Sequence, residues 1–257
     1  MRSLIFGLLL FISFKSSLFA KTLIVSDVDD TIKVTDVLDK MNAVYNSIFT
    51  KIEFSGMSVL YKELDTSENV FYYVSGSPIL ISEKVNEFLT FNNFPQRENL
   101  ILKNSMSDST YSYKINAIEQ LINKIKPDHL ILIGDDTELD PEIYSAISKK
   151  FPAKVDSIYI HAIKARALPK LKILKNYFAA TEIAGWEVIK GNLNSESIIK
   201  VANSFDDGGN GSQVVIPLRY CPFEGRSQIE EIKLKLLTPL AIEALELTQQ
   251  KIIATCN

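Results

Sequence analysis

Three carboxylates follow the first strongly apolar run of the mature chain. The run covers Thr22–Ser26, and Asp27, Asp29 and Asp30 come directly after it. A short β-branched run of this kind is typical of a buried parallel strand. Ligands of open α/β sheets bind beyond the carboxyl ends of such strands. Packing gives no reason for three neighbouring acids, because like charges repel unless a cation or another counter-charge is present. The sequence therefore predicts a functional site at this loop.

Calcium binding is the first chemistry to consider for the acidic loop, because Asp27, Asp29 and Thr31 alternate like the ligands of an EF-hand. An EF-hand loop needs glycine at its sixth position and glutamate at its twelfth. Here those positions hold Ile32 and Leu38. The sequence therefore excludes an EF-hand.

Phosphoryl transfer through an aspartyl intermediate fits the loop better. A carboxylate can attack phosphorus in line and split a difficult hydrolysis into two easier steps. A second acid must then protonate the departing alkoxide and later activate water. A Mg²⁺ ion would hold the phosphate and neutralise nearby carboxylates. Asp27 fits the nucleophile and Asp29 the acid/base, since alternate residues on an extended turn face one cavity.

Apolar runs alternate with segments of helical spacing along the body of the chain. The runs are Thr22–Ser26, Val70–Ser75, Leu100–Lys103, His129–Gly134 and Ser157–Ile163. The helical segments between them include Ile79–Phe91, Tyr113–Ile125 and Pro141–Lys149. This alternation predicts an α/β fold with a parallel sheet of about five strands and helices on both faces. Right-handed crossovers then bring the carboxyl ends of all strands to one edge.

Two serines follow the second predicted strand at that edge. Ser75 precedes the next helix, so its hydroxyl and nearby backbone N–H groups are predicted to contact a phosphate. For Ser77 the sequence favours a helix N-cap, with Pro78 at the first helical position.

Further charged residues are expected at the same edge. Lys114, at the start of the helix before the fourth strand, is predicted to neutralise the phosphate and keep Asp27 ionised, with Lys103 as the alternative. Asp135 follows the most apolar strand and is the predicted direct metal ligand. Asp140 either binds metal or water or caps the helix that follows it, and the sequence leaves this open.

The segments outside the predicted sheet are mainly helical. The interval after the first strand is predicted to hold helices at Asp36–Phe49 and Met57–Leu64, joined by a turn near Ser55-Gly56. The predicted helices after the fifth strand are Leu168–Lys190, in which Trp186 packs on the body, and Ser195–Phe205. Residues 21–205 are thus predicted to form the catalytic domain, residues 206–212 a linker and residues 213–257 a C-terminal extension. Pro239 should break the amphipathic stretch Ile229–Ile253 of this extension.

Residues 1–20 are predicted to be a secretory signal peptide, with an uncleaved anchor as the alternative. They combine a positive start, an apolar stretch and the small residue Ala20 at the cleavage point. We therefore expect a periplasmic or secreted protein. Without this segment the chain has 26 basic and 31 acidic residues and a formal charge of −5, which argues against nucleic-acid binding. In an exported chain Cys221 and Cys256 are candidates for a disulfide, and free buried thiols are the alternative.

Taken together, these motifs resemble the haloacid dehalogenase (HAD) superfamily of phosphohydrolases. More narrowly, they are similar to the catalytic domain of the actin-patch-protein type of phosphatidate phosphatase. The segments that carry the resemblance run from about residue 22 to 165 and include SDVDDTIKVT at 26–35, FSGMSVLY at 54–61, FYYVSGSP at 71–78, Tyr113-Lys114 and GDDTELDPEIY at 134–144. The chain departs from the usual pattern at Tyr113, where a histidine is usual, and at Asp136-Thr137-Glu138, where glycine and small residues are usual.

The resemblance implies a role for each site residue. Asp27 would be the nucleophile and Asp29 the acid/base, and Ser75, Lys114 and Thr31 would bind the substrate phosphate. Mg²⁺ would be held by Asp27, Asp135 and the backbone carbonyl of Asp29, with Asp140 as a further candidate ligand.

The resemblance favours phosphatidate as the substrate, but a soluble ester or a protein-bound phosphate fits an open site equally well. A non-catalytic phospholipid-binding module is the alternative, against which the intact acidic residues argue. The stretch Ile229–Ile253 would either contact a membrane peripherally or pack on the body, and we favour packing. We expect the chain to act as a monomer.

Overall fold

The computed structural model describes residues 20–36, 50–104, 109–164, 166–205 and 228–256. Outside the described residues lie residues 1–19 of the predicted signal peptide, residues 37–49 of the first predicted helix, the predicted linker and Cys221. Within the described part, no helix is both long and apolar enough to cross a membrane.

A six-stranded sheet forms the centre of the fold. Its strands are β1 (Thr22–Ser26), β2 (Asn69–Pro78), β3 (Leu100–Lys103), β4 (His129–Asp135), β5 (Val155–His161) and β6 (Leu174–Tyr177). The strands are parallel and lie in the order β3-β2-β1-β4-β5-β6. The predicted α/β fold is therefore confirmed, with one strand more than expected. The order reverses between β1 and β4, which is where open sheets of this kind form their ligand crevice.

Helices cover both faces of the sheet. They are α1 (Met57–Leu64), α2 (Ser82–Phe91), α3 (Thr110–Ile125), α4 (Asp140–Lys150), α5 (Ala180–Lys190), α6 (Ser195–Asn203), α7 (Ile229–Lys233) and α8 (Pro239–Cys256). A single 3₁₀ turn, Ile79–Ile81, separates β2 from α2. Alternate residues of a strand face opposite layers. Accordingly, Ile24 belongs to the core that the sheet forms with α1, α2 and α5–α8, whereas Leu23 and Val25 belong to the core that it forms with α3 and α4.

The prediction of one continuous helix over Leu168–Lys190 is wrong. Leu174–Tyr177 is the edge strand β6, which pairs with β5 from Ile158↔Leu174 onward. Helix α5 begins only at Ala180, and the Glu182 carboxylate accepts the Phe178 N–H at 2.6 Å just before it. The segment Leu-Lys-Asn-Tyr has no strong strand pattern of its own. Its strand conformation depends on hydrogen bonds with β5, and such pairing leaves no periodic pattern in the local sequence.

The segment between β1 and α1 starts and ends beside the carboxyl end of β1. The Val34 N–H donates to the Ile52 carbonyl at 3.0 Å, and the Phe54 N–H donates to the Ile32 carbonyl at 3.1 Å. This antiparallel pairing joins the two ends of the insert at the edge of the sheet where the acidic loop lies. After the turn at Ser55-Gly56, α1 spans Met57–Leu64, as the sequence predicts.

The C-terminal helices pack on the body of the domain. The Ile229, Ile232 and Leu245 side chains are fully buried against the core that α5 and α6 help to form. Pro239 is the first residue of α8, where its missing N–H costs no helical hydrogen bond, so it interrupts the amphipathic stretch at the predicted place. The indole N–H of Trp186 donates to Gln228 Oε1 at 3.0 Å and ties the start of this region to α5.

Gly185 permits the close packing of α5 against α7. A Cβ at this position would lie 2.5 Å from Ile232 Cγ2. We expect Gly185→Ala to lower the free energy of unfolding by about 1–3 kcal/mol, measured by urea denaturation. In an Ile232→Ala background the clashing methyl is absent, so the same substitution should cost much less. An equal cost in both backgrounds would contradict the packing.

Candidate active site

Asp27 and Asp135 lie next to each other at the crevice between β1 and β4. The Thr31 hydroxyl joins them, with Oγ1 3.2 Å from Asp27 Oδ2 and 3.2 Å from Asp135 Oδ2. All three residues are buried. The hydroxyl therefore connects two carboxylates here, and its predicted contact with a phosphate stays a prediction.

Lys114 provides the positive charge of the cluster. Its Nζ lies 2.7 Å from Asp27 Oδ1 and 2.6 Å from Asp140 Oδ1, and all three side chains are almost completely buried. Lys114 therefore takes the place beside Asp27 for which Lys103 was the alternative. The ammonium reaches the carboxylates from α3, because this helix begins at the edge of the sheet where the strands end.

The interpretation of Asp140 as a helix cap is wrong. Asp140 is the first residue of α4, and the capping position is Leu139, which makes no side-chain cap hydrogen bond. The Asp140 carboxylate instead accepts the hydrogen bond from Lys114. Its Oδ2 is buried and has no hydrogen-bond partner within the described residues. This buried acceptor points to a missing cationic or donor partner.

Three buried carboxylates can share one cation at this place. One oxygen each of Asp27, Asp135 and Asp140 lies within 4.8 Å of the others. An all-oxygen donor set suits a hard divalent cation such as Mg²⁺. The orphaned Asp140 oxygen and the excess of three carboxylates over one ammonium both fit this assignment. The predicted contribution of the Asp29 carbonyl stays a prediction.

The charges of the cluster are strongly interdependent. Burial raises the pKa of Asp27 well above its usual range, although Lys114 acts in the opposite direction. Burial and the neighbouring Asp140 charge raise the pKa of Asp135 to about 8. Burial opposes the charge of Lys114, but Asp140 and Asp27 outweigh it and raise the pKa of the ammonium. The site therefore lacks positive charge, and a divalent cation would supply it.

Gly134 lets the Asp140 carboxylate lie directly against the end of β4. A Cβ at this position would be 2.4 Å from Asp140 Oδ2 and 2.8 Å from Tyr144 Cε2. The conformation is an ordinary strand, so a close approach, not backbone freedom, requires glycine here.

The Asp29 carboxylate accepts three hydroxyl hydrogen bonds. Its Oδ2 accepts from Ser75 at 3.0 Å and from Ser77 at 2.8 Å, and its Oδ1 accepts from Thr35 at 2.8 Å. Ser77 is thus not the predicted helix cap. Strand β2 continues through Pro78 and the next α-helix starts only at Ser82. The hydroxyls hold the carboxylate in one orientation, and the predicted contact of Ser75 with phosphate stays a prediction.

Asp30, the third acid of the loop, shapes the backbone. Its φ is +55°, a left-handed conformation that aspartate tolerates better than most residues. Its Oδ1 accepts the N–H groups of Thr35 at 3.1 Å and Asp36 at 2.7 Å. The carbonyl of Asp30 accepts a hydrogen bond from His161 Nδ1 at 2.8 Å, and burial lowers the pKa of this histidine to about 4. Asp30 therefore fixes the turn that follows Asp29.

Hydrogen bonds in both directions between Asp136 and the segment around Arg166 hold the loop between Asp135 and Asp140. We name these contacts the lock. The Asp136 carboxylate accepts the backbone N–H groups of Ile163, Lys164 and Arg166. In return, the Arg166 guanidinium donates to the carbonyls of Asp136 and Glu138, at 3.0 and 2.6 Å. Both Arg166 Nη atoms also donate to the Glu142 carboxylate, at 2.5 and 2.8 Å. The lock fixes the backbone that carries two candidate metal ligands.

We expect Arg166→Met to weaken divalent-cation binding about tenfold, because outer residues that orient metal ligands typically contribute 10–100-fold in affinity. The measurement is calorimetric titration of the protein with Mg²⁺ and Mn²⁺. Lys150→Met is the matched control, since it removes an ion pair between Lys150 of α4 and Glu119 of α3 that lies outside the cluster. Unchanged cation affinity in Arg166→Met would contradict the lock.

Comparisons with known proteins assign the chain to a family. The family model "Phosphatidate phosphatase APP1, catalytic domain" matches residues 22–162. Phosphatidate phosphatase APP1 of Saccharomyces cerevisiae is 30% identical over 149 residues, which are 53% of this chain and 25% of that protein. An uncharacterized protein of Schizosaccharomyces pombe is 23% identical over 150 residues, which are 54% of this chain and 25% of that protein. The chain thus spans about a quarter of the length of these relatives.

Among solved structures, the chain is similar to the class C acid phosphatase of Bacillus anthracis with tungstate bound. The TM-score is 0.37 at 16% identity, over 54% of this chain and 66% of that chain. The matched family segment contains β1 to β5 and every acidic residue of the cluster. Because this segment is more than half of the sequence, the chain belongs to the family of the phosphatidate phosphatase APP1 catalytic domain.

Proposed function

We propose that the chain is an exported, Mg²⁺-dependent phosphatase that hydrolyses a phosphate monoester through an aspartyl-phosphate. One observation carries the proposal. Asp27 lies beside a buried ammonium, while Asp29, two residues later, is held separately by three hydroxyls. The ammonium thus favours the charged form of the attacking carboxylate against the effect of its burial, and the other carboxylate is oriented for proton transfer.

In the first half of the reaction, an oxygen of Asp27 attacks phosphorus and the bond from phosphorus to the ester oxygen breaks. Asp29, protonated at this stage, gives its proton to the departing alkoxide. Lys114 favours the ionised form of Asp27 against the effect of burial, and it offers charge to the phosphoryl oxygens. Ser75 and Thr31 are the further candidate donors to those oxygens.

In the second half, Asp29 takes a proton from a water molecule, whose oxygen attacks phosphorus. The bond between phosphorus and Asp27 breaks, which releases inorganic phosphate and restores Asp27 as a carboxylate and Asp29 as the protonated acid. Asp27, Asp135, Asp140 and the Asp29 carbonyl would hold Mg²⁺, which when bound neutralises phosphoryl charge and orients the group in line.

Phosphatidate is the substrate that the family description favours. Export rests on the signal-peptide pattern of residues 1–20, and both remain parts of the proposal. The test is phosphate release by the purified chain from phosphatidate, lysophosphatidate, diacylglycerol pyrophosphate and soluble esters. Each assay is run with Mg²⁺ and with excess chelator, and Asp27→Asn serves as the inactive control.

We expect Mg²⁺-dependent release from at least one monoester and none after chelation. Binding of phosphatidate without phosphate release would instead favour a non-catalytic lipid-binding module. Release that persists in Asp27→Asn would refute the covalent mechanism.

A further inference from the structure

Four exposed apolar side chains lie in segments that connect to the carboxyl-end edge of the sheet, where the candidate site is. Ile79, Leu80, Tyr111 and Leu139, which we name the apolar collar, have exposed fractions of 48%, 87%, 36% and 42%. They come from three separate segments: the connection from β2 to α2, the first turn of α3 and the residue before α4. Single exposed apolar residues are ordinary on protein surfaces. A group gathered on one functional edge indicates an interaction surface.

The three segments of the collar meet at one place. A Cβ built at Gly76 would lie 3.0 Å from Thr110 Cγ2 and 3.6 Å from Glu138 Oε2. Thr110 directly precedes Tyr111, and Glu138 directly precedes Leu139. The collar segments therefore converge next to the end of β2, where two serine hydroxyls hold the proposed acid/base.

The collar also lies on the solvent side of the reaction centre. Tyr111 is one helical turn before Lys114, so the two side chains share a face of α3. Because α3 begins at the site edge and runs away from it, Tyr111 lies farther out than Lys114, which contacts Asp27. Leu139 adjoins Asp140 in the same way.

We propose that the apolar collar inserts into the surface of a lipid bilayer and seats the site over a membrane phosphate ester. This inference rests on the proposed function and deepens it, since it makes the substrate a lipid that stays in its membrane. The acyl chains of such a lipid remain in hydrocarbon while the phosphate must reach the buried Asp27. Aliphatic side chains gain free energy on leaving water, and tyrosine suits the boundary with its apolar ring and polar tip. The exposed Lys164, which follows β5 at the same edge, suits anionic headgroups.

A second group of exposed leucines provides the matched control. Its members are Leu234, Leu237 and Leu240, with exposed fractions of 88%, 96% and 63%. This group lies toward the opposite edge of the sheet. Thr238 Oγ1 is 2.9 Å from Ser195 Oγ at the start of α6, and the nearby Asn192 lines a cavity with Thr22, the first residue of β1. A membrane bound at this second group would not cover the site.

The test compares Leu80→Asp with Leu237→Asp, the same substitution at two highly exposed leucines. Flotation measures binding to phosphatidylcholine vesicles that contain phosphatidate, in the Asp27→Asn background so that no lipid is consumed. We expect Leu80→Asp to weaken binding about tenfold, as for one leucine side chain that no longer leaves water. Leu237→Asp should bind within about twofold of the parent. Equal binding by both variants, or no binding by the parent, would overturn the proposal.

Tryptophan fluorescence tests the insertion directly. Leu80→Trp should shift its emission to shorter wavelength on addition of vesicles, whereas Leu237→Trp should not. The single native tryptophan, Trp186, is buried and gives a constant background. A shift at position 237 without one at position 80 would assign the membrane surface to the opposite edge and refute the collar.

Activity distinguishes failure of this inference from failure of the proposed function. In catalytically intact protein, the ratio of vesicle to soluble-ester hydrolysis should fall about tenfold in Leu80→Asp. An unchanged ratio with active enzyme overturns the collar alone. Loss of vesicle binding in Leu80→Asp, with no phosphate release by the parent from any ester, supports the collar and refutes the phosphatase.

Discussion

Asp29→Asn should lower the turnover of an alkyl phosphate ester by about 10²–10⁴-fold, the usual contribution of a positioned acid/base. The asparagine side chain is nearly isosteric and can still pair with the three hydroxyls that surround position 29. It cannot give a proton to the alkoxide or take one from water. We therefore expect the loss to appear in turnover, with little change in the fold.

A substrate with a nitrophenolate leaving group separates the two roles of Asp29. Nitrophenolate departs without a proton, so Asp29→Asn should still form the aspartyl-phosphate at Asp27 but hydrolyse it slowly. Rapid mixing should show a burst of nitrophenolate that approaches one equivalent of enzyme, followed by slow turnover. Asp27→Asn should show no burst. Unchanged steady-state turnover in Asp29→Asn would refute its assignment as the acid/base.

Lys114→Met should destabilise the metal-free protein by about 3–5 kcal/mol, the usual cost of leaving a buried charge without its partner. Lys114 is the cation that contacts both Asp27 and Asp140, and their carboxylates lie with that of Asp135 in one buried cluster. Methionine keeps much of the volume, so the loss comes from charge and not from a cavity. The measurement is urea unfolding in the presence of a chelator.

The loss of unfolding free energy in Lys114→Met, relative to wild type, should grow with pH. Burial and the Asp140 charge raise the pKa of Asp135 to about 8, from a usual value of 3.8. Between these two values the native state holds a proton that the unfolded state has lost. The free energy of unfolding therefore falls as pH rises through this window. Without the lysine the native carboxylates hold their protons more strongly, so the difference from wild type should be larger at pH 8 than at pH 5.

Two controls test the origin of the Lys114 effect. Asp140→Asn in the Lys114→Met background removes one of the stranded charges and should recover part of the stability. Mg²⁺ should also recover part, since a divalent cation would replace the missing positive charge. A deficit below about 1 kcal/mol at pH 8, as for an exposed ion pair, would contradict the buried cluster.

Much of the site could be predicted because the carboxyl ends of parallel strands meet at one edge of the sheet. The apolar runs before Asp27, Ser75 and Asp135 each predict a buried strand, and parallel strands deliver their following residues to one edge. The choice of Lys114 could not be made from periodicity, since Lys103 at the end of the third strand was also expected at the site edge. Only the resemblance favoured Lys114 over Lys103. The α/β class followed from the same alternation of strand and helix patterns.

Several positions could not be predicted because their roles depend on partners far away in sequence. Ser77 followed by Pro78 has the local pattern of a helix start. In the structure, however, the Ser77 hydroxyl donates a hydrogen bond to Asp29, 48 residues away. Thr35 carries no recognisable motif, and neither does the lock between Asp136 and Arg166. Edge strand β6 was missed because its pairing with β5 outweighs a weak local preference.

The sequence by itself determined which chemistry the acidic loop supports. Paired aspartates after a buried strand, without the glycine and glutamate of a calcium loop, predict phosphoryl transfer, since covalent attack and proton transfer require two carboxylates close together. Residue types and short spacings are enough for that conclusion.

Only the tertiary structure decided how these charges are divided. It joins Asp27, Asp135 and Asp140 in a buried cluster, pairs Lys114 with two of them, and holds Asp29 among three hydroxyls. In the folded chain, the Asp30 carboxylate accepts backbone N–H groups and so stabilises the turn. The physical reason is that the energy of a charge depends on its burial and on its neighbours within a few ångströms. Those neighbours come from strands and helices that only the folded sheet brings together.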